Sequence, residues 1–494
     1  MTKTSSYNVT AYGATGVAYA AEKLTLTNFQ FKWLKYKQGS QATVYRAKEG
    51  EPLDSVGIQL AMDTAHQDGG GTVVVPAGDY LIGPIEFRSN VILHLEPGAR
   101  LWGSPDMADY DLLPGETMPV YTLAKGNNRE SEGLTRDNRR LLSAHQASDF
   151  GITGSGYISA QSPAFVIPWM NSHPSDLLSL YRPQDTLLFY QCQNVLLEGF
   201  HLRNTPAWSV VLDSCKGVRI DGIDLHCFDV INSDGIDLVN TSDTTIANCR
   251  IHCTDDAICL KNTLRGVTMS NITVTNCVLR TLCNGFKIGT DSAGNFEDIT
   301  VSNLVMHGDE STVGDRGGVN LNALDGGTVR NINISNLVMR NFFSPFYLYA
   351  TDRSGQQKAL GLETKPGRME RISITNVLAD GTRYPCYVVG HADSKIQDLH
   401  IANINIRKSK DFYDQAPEAP VPEVPNEYPT PFTFGSRDGG DQLPACGLYV
   451  RNAEALVIDD FKQRNEQKDG RDLIVTERCE DIEISRSLCR NPSA

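Results

Sequence analysis

A short phrase that returns along the chain is the sequence feature that most limits its fold. The phrase alternates apolar and polar residues and closes on a residue suited to a tight bend, and nine copies begin between Val195 and Ile482. They are 23 to 40 residues apart, with one longer gap. Strands repeated at this spacing predict a solenoid whose coils share one continuous core.

The fifth position of the phrase indicates how the coils turn. It is Gly or Asn in eight of the nine copies, and these residues adopt a positive φ most readily. We therefore expect every coil to bend at this position and the Asn side chains to stack into a ladder. The fifth positions are Gly199, Gly222, Asn248, Asn276, Asn303, Asn336, Asn376, Asn403 and Arg486.

The predicted fold is all-β, a right-handed parallel β-helix in which the strands of successive coils stack into long parallel sheets. Each coil is too short for a pair of helices, and the right hand follows from the general crossover rule for parallel strands. A β-propeller is the alternative. Its blades need four strands in about 40 to 45 residues and Trp-Asp signatures, and the sequence has no Trp-Asp pair.

We expect the whole chain, 1–494, to form a single β-helix domain. Residues 53–65 have helical spacing and precede the first coil-like strand, so they predict a short N-terminal capping helix. Three stretches interrupt the coils and are expected to be long loop insertions, near 17–52, 105–140 and 411–440. Insertions in a solenoid often build its binding face.

Charge limits the partners of the chain. Its 45 Lys and Arg residues against 59 Asp and Glu residues give a net charge of −14. This sign disfavours nucleic acid and anionic membranes, and an anionic substrate would need a local basic patch. No signal region or membrane-length apolar segment is present. We expect a cytoplasmic protein from the sequence as written, or a secreted or periplasmic one if a leader has been removed.

A second phrase aligns polar residues from four consecutive coils. It occupies residues 234–240, 256–262, 284–290 and 317–323, and its apolar residues alternate, so the residues between them must face out of the solenoid. Adjacent parallel strands lie about 4.8 Å apart, which gathers the outward residues into one polar cluster. The cluster contains Asp234, Asp237, Asp255, Asp256, Lys261, Lys287, Asn320 and Asn322.

Three carboxylates of this cluster suit acid–base chemistry. Asp255 and Asp256 come about one coil after Asp234, so like-charge crowding is expected to raise the pKa of at least one of them. Inverting glycosidases hold their carboxyl pair about 6.5–9.5 Å apart, with water between. A calcium site or a solvated charged edge is the alternative. Small residues beside the cluster, such as Gly285 and Gly318, favour a ligand that lies close to the backbone.

Two tyrosines follow the cluster on the next coil. Tyr347 and Tyr349 alternate along the chain, and both could face the groove, where aromatic rings suit sugars. Packing in the core is the alternative. The candidate substrate-binding residues are Asp237, Lys261, Asn284, Lys287, Asn320, Asn322 and Tyr347.

Over most of its length the chain resembles glycoside hydrolase family 28, the polygalacturonase family. The family motif Asn-Thr-Asp-Gly-hydrophobic-Asp is matched by residues 232–237, and the Asp-Asp motif by Asp255 and Asp256, in the same order and separation. The resemblance implies a parallel β-helix that hydrolyses glycosidic bonds with inversion. Asp255 would be the general acid, and Asp234 and Asp256 would position and deprotonate the attacking water. It implies a carbohydrate partner and no metal or organic cofactor.

Two further family motifs are changed in this chain. Gly-His-Gly corresponds to Cys-Asn-Gly at residues 283–285, and Arg-Ile-Lys corresponds to Asn-Leu-Asn at residues 320–322. In the family, the missing His, Arg and Lys support the acid and bind the substrate carboxylate. Their loss implies a different sugar beside the scissile bond, such as a neutral residue of rhamnogalacturonan. Lys287 is a candidate to replace part of the lost positive charge.

The sequence therefore predicts an exo-acting, inverting glycosidase of pectin-type plant polysaccharides or oligosaccharides, galacturonan- or rhamnogalacturonan-like, with no nucleic-acid or membrane partner. The exo mode would follow if the three insertions wall the groove into a pocket. Two alternatives remain open. One is a catalytically silent β-helix that binds glycan, and the other is a polysaccharide lyase on the same fold, which would need calcium and an Arg or Lys base.

Overall fold

The computed structural model describes residues 5–16, 19–27, 39–110, 139–172, 182–230, 232–308, 317–353, 363–409, 420–422, 429–431, 433–436 and 440–492. These residues form two compact units, and the boundary along the chain falls between Asp255 and Asp256. The first unit contains the described residues up to Asp255, and the second contains those from Asp256 onward. Each unit is a right-handed parallel β-helix, which confirms the predicted fold class.

In the described part of the first unit, parallel strands stack coil upon coil in three rows. The first row contains Ser6–Asn8, Gly71–Val75, Val91–Leu95, Ser148–Gly154, Gln193–Glu198, Lys216–Asp221 and Ser242–Ala247. The second row contains Gly78–Ile82, Ala99–Gly103, Tyr157–Ser159, His201–Arg203, Asp224–Cys227 and Arg250–Cys253. The third row contains Ile85–Glu86, Arg140–His145, Asp185–Tyr190, Trp208–Asp213 and Ile236–Val239.

The described part of the second unit, taken by itself, also consists of stacked parallel strands, several of them longer. One parallel row contains Ile258–Asn262, Phe286–Ser292, Gly317–Ala323, Ser344–Ala350, Cys386–Val389, Ala445–Arg451 and Asp472–Glu477. The other parallel strands of this unit are Thr268–Thr275, Val278–Thr281, Asn295–Gly308, Thr328–Arg340, Arg368–Thr382, Ile396–Lys408, Ala453–Asn465, Glu480–Ser485 and Leu488–Arg490.

The described residues of the first unit also form two α-helices and two short 3₁₀ helices. The predicted capping helix is present as Ser55–Gln67, two residues later than expected, and its apolar face is buried. A Cβ at Gly57 would lie 2.5 Å from the backbone nitrogen of Ala14. Glycine therefore lets this helix pack directly on the backbone of residues 12–14. The other helices are Pro163–Ser172, Val9–Tyr12 and Met107–Tyr110.

All nine predicted bends have a positive φ, from 49° at Arg486 to 82° at Gly199. In the second unit the Asn side chains stack into the predicted ladder. Asn303 donates to Asn276 at 3.3 Å and Asn336 donates to Asn303 at 3.1 Å. Asn376 donates to Asn336 at 2.9 Å and Asn403 donates to Asn376 at 2.8 Å. These hydrogen bonds thus join five consecutive coils at their bends.

Replacing Asn336 with Ala should lower the free energy of unfolding by about 1–3 kcal/mol. Ala would lose two ladder hydrogen bonds and would be strained at a φ of 58°. The measurement is chemical denaturation followed by circular dichroism. Asn336→Gly tolerates the positive φ and should lose less, so equal stability of both variants and the wild type would contradict a stabilising ladder.

The predicted insertions are described only in part. Within 17–52, the strands Tyr19–Thr25 and Gln41–Ala47 form an antiparallel pair, and Tyr45 exchanges two backbone hydrogen bonds with the Gln161 side chain at 2.6 and 2.9 Å. Most of 105–140 and of 411–440 lies outside the described residues. Whether the chain is one domain stays a prediction. Among the described residues, no helix has the length and apolar character needed to cross a membrane.

Candidate active site

Hydrogen bonds join the two acidic motifs of the first unit. The backbone N–H of Asp255 donates to the carbonyl oxygen of Ser233 at 3.4 Å, and the N–H of Ser233 donates to Thr254 Oγ1 at 3.4 Å. The side-chain Nδ2 of Asn232 donates to Asp255 Oδ2 at 3.3 Å. Coil stacking therefore brings Asp255 next to the residue that precedes Asp234.

Asp237 lies on the strand Ile236–Val239, and Asp234 precedes this strand by two residues. Ile236 and Leu238 fill the core of the coil, so Asp237, which lies between them, points away from that core. Asp237 is nevertheless 0% exposed and Asp234 only 3%. The outward face is therefore covered at these two carboxylates, whereas Asp255 is partly exposed.

Asp256 is held by two side chains of the next coil in the second unit. The Nζ of Lys287 donates to Asp256 Oδ2 at 2.7 Å, and the Nδ2 of Asn284 donates to Asp256 Oδ1 at 2.5 Å. The Asp256 side chain is 3% exposed and that of Lys287 14%. Both oxygens of this carboxylate are thus occupied by donors in a site largely shielded from water.

Tyr347 orients the amide that contacts Asp256. Its hydroxyl donates to Asn284 Oδ1 at 3.0 Å, and the N–H of Gly317 donates to the same oxygen at 3.3 Å. Because both donors hold the amide oxygen, the amide nitrogen is turned toward Asp256. The Tyr347 ring is 0% exposed and stacks on Tyr387, with ring centroids 5.1 Å apart. Tyr347 thus presents a hydroxyl to Asn284 and no ring face to solvent.

Asp256 and Lys287 shift each other's pKa. Burial by itself would raise the pKa of Asp256, but the charges of Lys287 and Lys261, with hydrogen bonds from Lys287 and Asn284, hold it well below the usual range. Burial would lower the pKa of Lys287, but the Asp256 carboxylate raises it above its ordinary value. The rise expected from like-charge crowding therefore does not occur at Asp256. This ionised carboxylate can orient water and carries no proton to donate.

The other predicted residues of the second unit lie on adjacent strands. Lys261 donates to the thiol of Cys259 at 3.0 Å, and Asn322 donates through Nδ2 to a main-chain carbonyl at 3.1 Å. Asn320 is aligned with Lys287 in the neighbouring strand and is 1% exposed. The structure thus gathers the predicted polar residues of this unit on one face, but that face is buried.

The small residues beside the cluster have a packing role. A Cβ at Gly285 would lie 2.5 Å from the sulfur of Met306, and a Cβ at Gly318 would meet the sulfur of Met339. Both methionines are buried core residues. Gly285 and Gly318 therefore make room for the core, and the interpretation that they keep the face open for a ligand was wrong.

The sequence model of glycosyl hydrolases family 28 matches residues 112–421. The chain belongs to this family. A polygalacturonase of Ralstonia nicotianae is 24% identical, over 72% of this chain and 77% of its own length. The exopolygalacturonase structure of Thermotoga maritima aligns with a TM-score of 0.58 at 21% identity, over 82% of this chain and 87% of that one. The structure of the family 28 exopolygalacturonase of Yersinia enterocolitica aligns with a TM-score of 0.57 at 16% identity. The alignment covers 99% of this chain and 78% of that one.

Membership of glycosyl hydrolase family 28 makes the chain a glycosidase that acts on carbohydrate. Two supporting residues of this family 28 enzyme were not predicted. Asn232 donates to Asp255, and its place at the start of the 232–237 motif was the available signal. The ring of Tyr387 stacks on that of Tyr347. The available signal was that both tyrosines occupy the same register position on neighbouring strands.

Proposed function

We propose that the chain is an inverting hydrolase of pectin-type plant polysaccharides or oligosaccharides, with Asp255 as the general acid. The observation that carries this proposal is the contrast between two consecutive carboxylates. Asp256 is buried, ionised and bonded to an ammonium group, whereas Asp255 is partly exposed and accepts an amide N–H. Two carboxylates in unlike surroundings suit the separate roles of acid and base.

In the proposed reaction, Asp255 gives its proton to the leaving glycosidic oxygen as the bond to the anomeric carbon breaks. Asp234 and Asp256 hold a water molecule on the opposite face of the sugar. This water attacks the anomeric carbon and loses a proton to the carboxylates, so the product has the inverted configuration. The chemistry uses side chains and water, and it needs no cofactor.

The proposed sugar beside the scissile bond is neutral. Lys287 donates to Asp256, so its positive charge is already balanced by that carboxylate. It is therefore less able to bind a carboxylate of the substrate. Among the described residues, the Oδ1 atoms of Asn320 and Asn322 have no hydrogen-bond partner. An unpaired buried acceptor favours a donor such as a sugar hydroxyl. Asp237, Lys261 and Asn284 complete the proposed substrate-binding set.

The exo mode of cleavage is proposed on two grounds. Long insertions interrupt the repeat near 17–52, 105–140 and 411–440 in the sequence, and insertions in a solenoid often build its binding face, where a walled groove would admit a chain end. The two similar structures named above are those of exopolygalacturonases. Rhamnogalacturonan-like and galacturonan-like chains are both within the proposed substrate class.

Product release from a panel of pectic fractions tests this function. We expect wild-type protein to release a single small sugar from one fraction, among homogalacturonan, rhamnogalacturonan and neutral side chains. Viscosity should fall little while reducing ends accumulate. Proton NMR of the first product should reveal the inverted anomer. Release of large fragments would contradict the exo mode, and a retained anomer would contradict the assigned roles.

Two other outcomes would replace the proposal. Binding of a fraction without any release would identify a silent glycan-binding β-helix. An unsaturated product whose formation stops on chelator addition would identify a calcium-dependent lyase. Unchanged release in the presence of chelator is the result that we expect from a hydrolase.

A further inference from the structure

The long strands of the second unit carry two rows of exposed or partly exposed side chains that differ in charge. The members of each row lie opposite one another in consecutive coils. One row, which we call the mixed row, contains Glu297, Arg330, Glu370, Gln397, Glu454 and Glu480. The other, the basic row, contains Arg280, His307, Arg340, Asp380, Arg407, Arg464 and Arg490.

The basic row is a local concentration of positive charge in an acidic protein. Five of its seven positions are arginine and one is Asp380, in a chain whose net charge is −14. Because neighbouring coils lie about 4.8 Å apart, the guanidinium groups form a line along the stacked coils. The pKa of His307 is lowered by burial and by the charges of Arg340 and Arg280, which reflects the positive potential of the row.

The cation of the mixed row is paired with an acid, whereas, within the part of the chain that the structure describes, two cations of the basic row are not. Arg330 pairs with Glu297 at 2.7 Å in the mixed row. In the basic row, Arg407 pairs with Glu466 at 2.5 Å and with Asp380 at 3.8 Å. Arg340 and Arg464 have no ion-pair partner among the described residues of the chain. Both are exposed, so their charges are available to an external anion.

An exposed apolar row runs beside the basic row, two residues earlier on the same strands. It contains Val278, Val305, Val338 and Leu378, which are 38% to 51% exposed. A surface groove of about 280 Å³ lies between the two rows, and its lining includes Val338, Arg340, Leu378, Arg407 and Arg464. Aliphatic side chains can cover the apolar face of a sugar ring, while guanidinium groups pair with carboxylates in bidentate geometry.

We infer that the basic row is a surface binding site for a carboxylate-bearing polysaccharide strand, laid along the stacked coils outside the catalytic residues. Repeated cations at coil spacing match a polymer with repeated anionic groups. Nucleic acid fits less well, since the adjacent row is aliphatic and offers no aromatic ring for base stacking. That the polymer is a pectin-type uronate rests on the proposed function. Such a site would hold the enzyme on its polymer and raise the local substrate concentration.

The test measures binding of polygalacturonate to the full chain at low salt by isothermal titration calorimetry. The triple variant Arg340→Gln, Arg407→Gln, Arg464→Gln should bind about tenfold more weakly than wild type. The matched control, Arg330→Gln, Arg368→Gln, Lys395→Gln, removes the same charge from cations of this unit that lie outside the basic row. Its affinity should stay within about twofold of wild type. Equal losses in both variants would overturn the site, because net charge alone would then explain binding.

A gain-of-binding variant keeps the inference testable if the triple variant folds poorly. Asp380→Asn removes the acid of the basic row and should strengthen binding about two- to threefold. Unchanged affinity in this variant, or no binding to the wild type, would overturn the inference. Methyl-esterified pectin should bind weakly, and single-stranded DNA that binds as tightly as polygalacturonate would overturn the assigned occupant. All proteins in this test also carry Asp255→Asn, which removes the proposed general acid, so the outcome is independent of whether any fraction is hydrolysed.

Discussion

Asp255→Asn should reduce the rate of product release by about 10²–10⁴-fold and leave glycan binding intact. A general acid contributes a factor of this size, and Asn cannot give a proton to the leaving oxygen. The side chain keeps its shape, and Asp255 is partly exposed, so the fold should be unaffected. The measurement is the initial rate on whichever pectic fraction the wild type cleaves, together with the dissociation constant for that fraction.

Asp243→Asn is the matched control for this variant. Asp243 also lies in the first unit, on the strand Ser242–Ala247, and pairs with Lys216 at 3.5 Å. Removing its charge should leave the rate within about twofold of wild type. If Asp255→Asn retains a rate in that same range with an unchanged melting temperature, Asp255 is not the general acid.

Lys287→Met should move the acidic limb of the activity profile to higher pH by about 1–3 units. Without the ammonium group 2.7 Å away, burial dominates and raises the pKa of Asp256. Since the proposed role of Asp256 requires the ionised form, activity should then fall at a higher pH than in wild type. The measurement is kcat/KM against pH. Superimposable profiles for the two proteins would exclude this role of Lys287.

The same ion pair links stability to pH. The folded-state pKa of Asp256 lies below its unfolded value, so its stabilisation is present above the unfolded pKa and is lost as pH falls through the folded pKa. The pKa of Lys287 is raised on folding, so its stabilisation is present below the unfolded value and is lost as pH rises through the folded pKa. At neutral pH, Lys287→Met removes the ion-pair partner of a buried carboxylate and should cost about 3–5 kcal/mol.

Two control variants separate charge from packing at Lys287. Lys287→Arg keeps a cation and should restore the wild-type pH profile. The double variant Asp256→Asn, Lys287→Met removes both charges, so its melting temperature should lie closer to wild type than that of Lys287→Met alone. A double variant less stable than the single one would contradict a role of unpaired charge in the destabilisation.

The coil repeat could be predicted from the sequence because every coil has the same backbone requirement at its bend. The bend needs a positive φ, so Gly or Asn recurs at one position, and the period places even Arg486 there, with φ of 49°. One copy of the repeated phrase was not predicted. Residues 456–460 end in Asp460, which has φ of 54° and follows the residue aligned with Ala402. Asp also tolerates this conformation, but eight of the nine predicted copies end in Gly or Asn.

The helix Pro163–Ser172 was not predicted. Its sequence contains Pro168 and a nearly continuous apolar run, so it has neither polar–apolar periodicity nor an uninterrupted helical pattern. Asn171 exchanges hydrogen bonds of 2.7 and 2.8 Å with backbone groups near Thr25, residues distant in sequence. Tertiary packing against that segment, rather than local propensity, decides this helix.

By itself, the sequence determined which residues face the core, where each coil bends and which acids fall in adjacent coils, because these follow from local periodicity. Only the tertiary structure decided that the face carrying Tyr347 is buried, since Phe434 and Leu443, far along the chain, belong to the same buried cluster as Tyr347. It also decided that Lys287 donates to Asp256 and that the Tyr347 hydroxyl donates to Asn284. Contacts of this kind depend on side-chain rotamers and on segments far apart in sequence, which no repeat in one chain encodes.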